Sequence, residues 1–188
     1  MNKTNFTFFR KLLAKSNLYK ENFKLYILSL IDSFVLGNNF SIRSFKKVIF
    51  SYTVYGDDFI DAFLEFSLPS ILQNKNIPLI FERGYEIEVI IFTSNEKERE
   101  QIIKNDLIIE LKKFAIVNIH IFSANSNIKY NDIKLFGMYE AINKSIIENA
   151  PLFWVAPDDF YGDGSLSNLI SLVDSDKDFI FSSHPRVK

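Results

Sequence analysis

The feature that most constrains the fold is a short apolar run, residues 152–156, between two prolines. It is rich in aromatic and aliphatic residues, a pattern typical of a buried strand, so we expect it to be the central strand of a sheet. Pro157 fixes φ and lacks a backbone donor, so strand pairing should stop there. Asp158 and Asp159 follow at once, which puts two carboxylates at the carboxyl end of the strand, where open α/β sheets bind ligands.

Two roles stay open for Asp158 and Asp159. Asp is common in turns because its side chain bonds nearby backbone, so either carboxylate can serve the loop itself. Alternatively, at least one faces a cleft, where it would hold a metal ion carrying a diphosphate or accept a hydrogen bond from a ribose hydroxyl. Beyond them, Asp163 and Ser165 are candidate N-caps for a helix over residues 166–173.

Strand and helix patterns alternate along the chain, which predicts an α/β fold with a mostly parallel sheet flanked by helices. The predicted strands are 46–55, 86–93, 115–122, 152–156 and 178–182. A helix follows each of the first three strands: the first has its buried face at residues 59, 60, 63, 64 and 66, and the others cover residues 96–113 and 133–149. Asp57 or Asp58 is a candidate cap for the first helix, which Pro69 should kink or end. Asn95 with Glu98 forms a capping-box pattern for the second. A loop is expected over residues 73–78.

The N-terminal residues 1–44 have a different pattern and are interpreted as a helical appendage to an α/β domain over residues 45–188. Residues 23–36 carry apolar side chains at helical spacing, typical of a helix packed on the main domain. A peripheral membrane or partner contact, including one with a second copy of the chain, is the alternative. Residues 23–36 are too few to span a bilayer and include Lys24 and Asp32, so no transmembrane segment is expected.

Composition excludes several classes of site. The net charge of −1 over 188 residues gives no electrostatic footprint for nucleic acid. Cysteine is absent, which excludes disulfides, zinc–thiolate sites and a cysteine nucleophile, and suits a reducing compartment. No secretory signal is visible, so a cytoplasmic location is expected. His120 falls inside a predicted strand and is interpreted as a packed or edge residue rather than a ligand.

Common nucleotide-binding and hydrolase motifs are missing. No Gly-x-Gly-x-x-Gly follows the first predicted strand, and the chain has no Gly-Lys-Ser/Thr loop. The Gly-x-Ser-x-Gly elbow of α/β-hydrolases is also absent. Dinucleotide-binding, P-loop and serine-hydrolase functions therefore lose their main support.

The segment over residues 134–159 resembles the donor-binding half of glycosyltransferases with the GT-A fold. In that family a helix with a glycine and an Ala-x-Asn sequence precedes a strand that ends in an acidic motif. The matching residues are Gly137, Ala141 to Asn143, the apolar run and the pair Asp158–Asp159. Residues 55–78 are also similar to the first strand and helix of bacterial enzymes of this kind. The resemblance covers roughly residues 46–188.

The resemblance implies a transferase that moves a sugar from a nucleotide-sugar donor to a bacterial surface glycan or related acceptor. Donor binding is implied for Tyr55 and Gly56 at the base and ribose end, for Ser94 and Asn95 after the second strand, and for Asp158 and Asp159. A divalent ion, Mn²⁺ or Mg²⁺, is implied at Asp158. Ala156 stands where the family has the first acidic residue of its motif, which argues against a strict metal requirement.

Other functions stay open at this point. A nucleotidyltransferase or another nucleotide-binding enzyme can use a similar sheet, and a non-catalytic interaction or scaffolding domain would explain the missing first Asp. In the family, the acceptor region and the catalytic base usually lie further along the chain. We therefore expect these parts to be missing from residues 1–188, and no catalytic residue can be named.

Overall fold

A computed structural model of the chain describes residues 46–122 and 130–173, without the side chains of 130–133. These residues belong to one of two compact units into which the chain divides, the unit Ser44–Ser175. The helical appendage predicted over residues 1–44, with its apolar stripe at 23–36, lies outside the described residues. So does the last predicted strand, 178–182.

The described sheet has four parallel strands in the order β3-β2-β1-β4. They are β1, Lys47–Thr53; β2, Glu86–Thr93; β3, Ile116–Ile121; and β4, Leu152–Val155. The chain moves outward from β1 through β2 to β3, and then returns to the other side of β1 to form β4. This confirms the predicted α/β class and gives the strand order of doubly wound, Rossmann-like sheets, with a reversal between β1 and β4.

The interior strands of the described sheet are β1 and β2, and the prediction that residues 152–156 form the central strand is not met among the described strands. β4 is the last strand in the described order, and Trp154 is 47% exposed. In β1, by contrast, every residue after Lys47 is buried. A four-residue apolar run has the same pattern at the edge and in the centre of a sheet, because burial depends on neighbours that the run does not specify.

The helices lie between and after the strands. They are α1, Asp57–Ala62; a π-helical turn, Phe63–Ser67; α2, Leu68–Ile71; α3, Ile77–Glu82; α4, Glu96–Ile103; α5, Asp106–Leu111; α6, Tyr130–Glu148; and α7, Ser165–Val173. Helices α6 and α7 lie where the sequence predicted them. Within the described ranges, no helix has both the length and the hydropathy needed to cross a membrane.

Three predicted helix bounds differ from the structure. Pro69 does not end the first helix; a wider π turn precedes it, which accommodates the missing backbone donor. The helix predicted over residues 96–113 is broken at Asn105, whose side chain accepts a hydrogen bond from the Leu107 amide (2.9 Å) and so caps α5. Residues 77–82 form α3, where a loop was predicted for the first two of them, and Pro78 lies in the first turn of that helix.

The two faces of the sheet are covered differently. On one face, alternate side chains of β1 and β2 pack with α1–α5 and α7 in the main core, which includes Phe50, Tyr52, Phe63, Ile91 and Ile170. On the other face, Ile49, Ile90 and Phe92 form a smaller cluster with Ala150. Helix α6 lies against this second face, as the alternation of strand side chains requires.

Helix α6 is tied to the amino end of the sheet by ion pairs. The Lys47 ammonium lies 2.7 Å from the buried Glu88 carboxylate and 2.6 Å from Glu148 near the end of α6. Lys144 contacts the same two carboxylates, at 3.3 Å from Glu88 and 2.5 Å from Glu148. Burial lowers the pKa of Lys47, but hydrogen bonds to these carboxylates outweigh it and raise the pKa overall, so this lysine is charged in the folded protein.

Towards the other end of the sheet, Gly137 allows α6 to approach the strands closely. A Cβ atom at Gly137 would lie 3.0 Å from the Thr53 hydroxyl oxygen and 3.0 Å from a ring carbon of Phe92. Both neighbours are in the last part of their strands. The glycine therefore sets the distance between α6 and the carboxyl edge of the sheet.

We predict that Gly137→Ala destabilises the protein by about 1–3 kcal/mol, because the added methyl group overpacks the contact with Thr53 and Phe92. In an open helix the same change would stabilise by up to about 1 kcal/mol. Denaturant unfolding at neutral pH measures the difference. Gly162→Ala is the matched control, since nothing lies within 4 Å of its added Cβ. Equal stability of the two variants would contradict close packing at Gly137.

Candidate functional site

The carboxyl ends of β1 and β2 place Tyr55 and Ser94 at the same level. Thr53 pairs with Phe92, so Tyr55 and Ser94 each lie two residues beyond that pair. The Val54 amide still donates to the Phe92 carbonyl (2.8 Å), which keeps the two chains together past the end of β1. The loops that follow the two strands therefore start side by side at one edge of the sheet.

The carboxyl ends of β1 and β4 likewise place Tyr55 and Asp158 at the same level. Tyr52 pairs with Val155, and Tyr55 and Asp158 each lie three residues beyond this pair. The strand order reverses between β1 and β4, and doubly wound sheets bind ligands at such a reversal, at the carboxyl ends of the strands. Residues predicted from separate parts of the sequence are thus brought to one edge.

Gly56 makes the turn out of β1. Its φ of 79° is in the region that favours glycine, and it is the N-cap residue of α1. The predicted caps Asp57 and Asp58 instead occupy the first turn of α1, where negative charge is favourable, and both are exposed. Residues 55–59 line an open depression of about 410 Å³.

The buried carboxylate of Glu98 joins the β1 and β2 loops. One oxygen, Oε1, accepts from the Gly56 amide at 3.0 Å. The other, Oε2, accepts from the Thr93 hydroxyl (2.7 Å), the Ser94 amide (2.9 Å) and the Ser94 hydroxyl (2.7 Å). Glu98 is only 8% exposed. Desolvation raises its pKa, but these hydrogen bonds outweigh that effect and lower the pKa below its usual value, so the group is ionised at neutral pH.

Ser94 and Asn95, both predicted donor-binding residues, take part in this arrangement. The Asn95 side chain accepts from the Glu98 amide (3.0 Å), which is half of the predicted capping box. The side-chain nitrogen of Asn95 donates to the Ser94 hydroxyl oxygen at 3.0 Å. The Glu98 carboxylate does not complete the box, because it turns to Ser94 and Gly56 instead. The side chains of Ser94 and Asn95 therefore already make hydrogen bonds within the loop that follows β2.

Asp159 organises the loop after β4. Its Oδ2 accepts from the Ala156 amide (3.1 Å) and from the Tyr161 hydroxyl (3.1 Å). Burial raises the pKa of Tyr161, and the nearby Tyr52 and Asp159 raise it further, so this phenol stays protonated and can donate. The loop-forming role left open for one carboxylate of the pair is thus the one in which the structure places Asp159.

Asp158 has the opposite environment. Its side chain is exposed, and it has no hydrogen bond or ion pair with any other described residue. Among residues 46–122 and 134–173 there is no group of three His, Asp or Glu side chains that could hold a metal ion. A divalent ion at Asp158 would need phosphate oxygens and water as its other ligands, a coordination set that Mg²⁺ commonly uses.

The loop that carries Asp158 is fixed to α2 and α3 by Asn76, a buried residue that the sequence did not single out. Its side-chain nitrogen donates to the Gly162 carbonyl (3.1 Å), and its oxygen accepts from the amides of Gly164 and Leu166 (3.1 Å each). Asn76 thereby caps α7 from outside the helix. The predicted cap Asp163 instead accepts from the Lys75 amide at 2.8 Å. Only the folded chain brings residues so distant in sequence together.

His120 lies on β3, an edge strand of the described sheet, with its ring centroid 5.5 Å from that of Phe92. The prediction of a packed or edge histidine agrees with this position.

Like Asn76, Glu98 is a residue whose importance the sequence understated. Its spacing from Asn95 indicated a helix cap, but nothing in the sequence connected it to Gly56.

We predict that lowering the pH reduces the stability of the wild type more than the stability of the Glu98→Gln variant. Folding lowers the pKa of Glu98 below its usual 4.5, so its contribution is complete above pH 4.5 and is lost as the pH falls through the folded value. At pH 7 the variant should be less stable by about 1–3 kcal/mol, because the Gln amino group cannot accept the hydrogen bonds of the carboxylate. The difference in stability between the wild type and Glu98→Gln should be smaller at pH 3.5 than at pH 7, as measured by denaturant unfolding.

Glu100→Gln is the control for this pH effect. Glu100 is on the same helix but exposed, with a solvent-screened surface ion pair to Lys104, so its replacement should leave the stability close to that of the wild type. A gap between wild type and Glu98→Gln that is the same at pH 7 and pH 3.5 would contradict an ionised, hydrogen-bonded Glu98.

No protein-family model, curated protein or solved structure matches this chain significantly. The observations that bear on function are therefore the strand order and the side chains at the carboxyl edge of the sheet.

Proposed function

We propose that residues 45–188 form the donor-binding part of a glycosyltransferase of the GT-A type, which uses a nucleotide-sugar and acts on a bacterial surface glycan or a related acceptor. One observation carries the proposal. Tyr55 and Asp158 lie at the same level on either side of the β1–β4 reversal, where parallel α/β sheets bind nucleotides. The sequence resemblance assigns donor binding to the same two positions.

In this proposal the nucleotide lies across the carboxyl ends of β1, β2 and β4. Tyr55 and the open surface above Gly56 contact the base and ribose, and nothing lies within 4 Å of a Cβ at Gly56 that would keep the ligand away. Asp158 accepts a hydrogen bond from a ribose hydroxyl or holds the ion that accompanies the diphosphate. A bound Mn²⁺ or Mg²⁺ would neutralise the diphosphate and make the nucleotide a better leaving group.

The environment of the acidic pair supports a division of work between its members. Asp159 is used by its own loop through Ala156 and Tyr161, whereas Asp158 has no described partner and is exposed. Asn76 fixes the loop before any ligand arrives. A loop ordered in this way loses little conformational entropy on binding, which favours affinity for a donor.

Two other hypotheses compete with this one. A nucleotidyltransferase would use the same edge for a nucleotide without transferring a sugar, and a scaffolding domain would bind no nucleotide at all. Binding of nucleotides and of nucleotide-sugars separates the three hypotheses.

The lack of cysteine suits a reducing compartment, and we propose that the transfer takes place in the cytoplasm.

We predict that Asp158→Ala weakens nucleotide binding about ten- to hundredfold, as expected for losing a hydrogen bond to a charged group. Its stability should stay within about 0.5 kcal/mol of the wild type, because the side chain is exposed and without a described partner. Calorimetry with UDP, GDP, CDP and dTDP and their sugars, with and without Mn²⁺, measures the affinity. Thermal unfolding measures the stability.

Asp159→Ala is the matched variant. It should lower stability by about 1–2 kcal/mol, since the Ala156 amide and the Tyr161 hydroxyl lose their acceptor. If Asp158→Ala binds nucleotide as the wild type does, Asp158 is not in the donor site. If the wild type binds none of these compounds, the scaffolding hypothesis replaces the glycosyltransferase.

A further inference from the structure

We propose that Glu98 is a positioning residue for the nucleotide site: its carboxylate fixes the β1 and β2 loops in the arrangement that binds the ligand. The identity of the ligand in this inference rests on the proposed function, whereas the contact between Glu98 and the two loops does not depend on it. Glu98 accepts hydrogen bonds from Gly56 at the end of β1 and from Thr93 and Ser94 at the end of β2. It is thus bound to both loops that start beside Tyr55.

The chemistry of this contact is unusual for a structural carboxylate. A buried charge is normally paired with a cation, because desolvation of an unpaired ion is costly. In the described part of the chain, the hydrogen-bond donors to the Glu98 carboxylate are two backbone amides and two hydroxyls, and none is a cation. Neutral donors are directional, so they fix the orientation of the loops as well as holding the charge.

The position of Gly56 connects this contact to the ligand. Its amide donates to Glu98 Oε1, while the residue is exposed and nothing lies within 4 Å of the position of an added Cβ. The hydrogen bond therefore determines which surface of the Tyr55–Gly56 turn faces the solvent. Without it, a glycine at φ 79° would have many other conformations available, and the turn would have to be ordered when the ligand binds.

Thr93 offers a way to weaken the contact without touching a ligand, because it is fully buried. Thr93→Val removes the hydroxyl that donates to Glu98 Oε2 and keeps the shape of the side chain, whereas Thr93→Ser keeps the hydroxyl. Glu98→Gln alters both carboxylate oxygens. The three variants thus form a series in which the contact is kept, weakened and broken.

Amide hydrogen exchange by NMR tests the geometry. The Gly56 and Ser94 amides should exchange at wild-type rates in Thr93→Ser, faster in Thr93→Val, and about tenfold faster or more in Glu98→Gln. The amide of Ile80, a core residue of α3, reports global unfolding, so the acceleration at Gly56 and Ser94 should exceed any acceleration at Ile80. If Gly56 and Ser94 exchange at wild-type rates in both Thr93→Val and Glu98→Gln, Glu98 does not hold the loops. If Glu98→Gln does not fold, the Thr93 pair alone decides.

Calorimetry with UDP, GDP, CDP and dTDP in the presence of Mn²⁺ tests the positioning role on the same samples. We expect affinity to fall in the order in which exchange rises, about five- to tenfold in Glu98→Gln, and to be unchanged in Glu100→Gln. Faster exchange with wild-type affinity overturns the positioning role and leaves Glu98 purely structural. If the wild type binds none of the four, the proposed function falls, and the exchange rates alone decide whether Glu98 joins the loops.

Discussion

The pairing of β1 with a parallel strand on each side is the constraint on which the described structure depends. Every residue of β1 after Lys47 is buried, because β2 and β4 cover its edges and helices cover its faces. Since all the pairs are parallel, the strands end at one edge, and the loops after β1, β2 and β4 have to meet there. Among the described residues, the main core covers one face of the sheet and α6 the other.

The carboxyl edge is held together by polar contacts rather than by the core. Glu98 joins the β1 and β2 loops, Asp159 closes the turn after β4, and Asn76 fixes the segment that leads into α7. Each makes its hydrogen bonds where no strand or helix can satisfy the backbone. Asp158 is left as an exposed carboxylate on an ordered loop, and this difference from its neighbour is the physical basis for assigning it to a ligand.

The fold class, the parallel pairing and the bounds of α6 and α7 followed from hydrophobic periodicity, because long-range burial leaves a periodic pattern in the sequence. The interior place of β1 between β2 and β4, the break at Asn105 and helix α3 did not, since they depend on neighbours in space or on local capping that competes with periodicity. For the site, Tyr55, Ser94 and Asp158 could be placed at the edge from the strand ends alone. The link from Glu98 to Gly56 spans 42 residues and leaves no mark in either segment.

The central claim is that a nucleotide binds at the carboxyl edge between β1 and β4. Backbone amide shift mapping of the full chain by NMR, during titration with UDP-, GDP-, CDP- and dTDP-sugars, tests it most directly. The account predicts that one of these ligands causes saturable shifts centred on Tyr55, Gly56 and Asp158, with Ile80 in α3 unaffected. Saturable shifts elsewhere, or none with any donor, would contradict it.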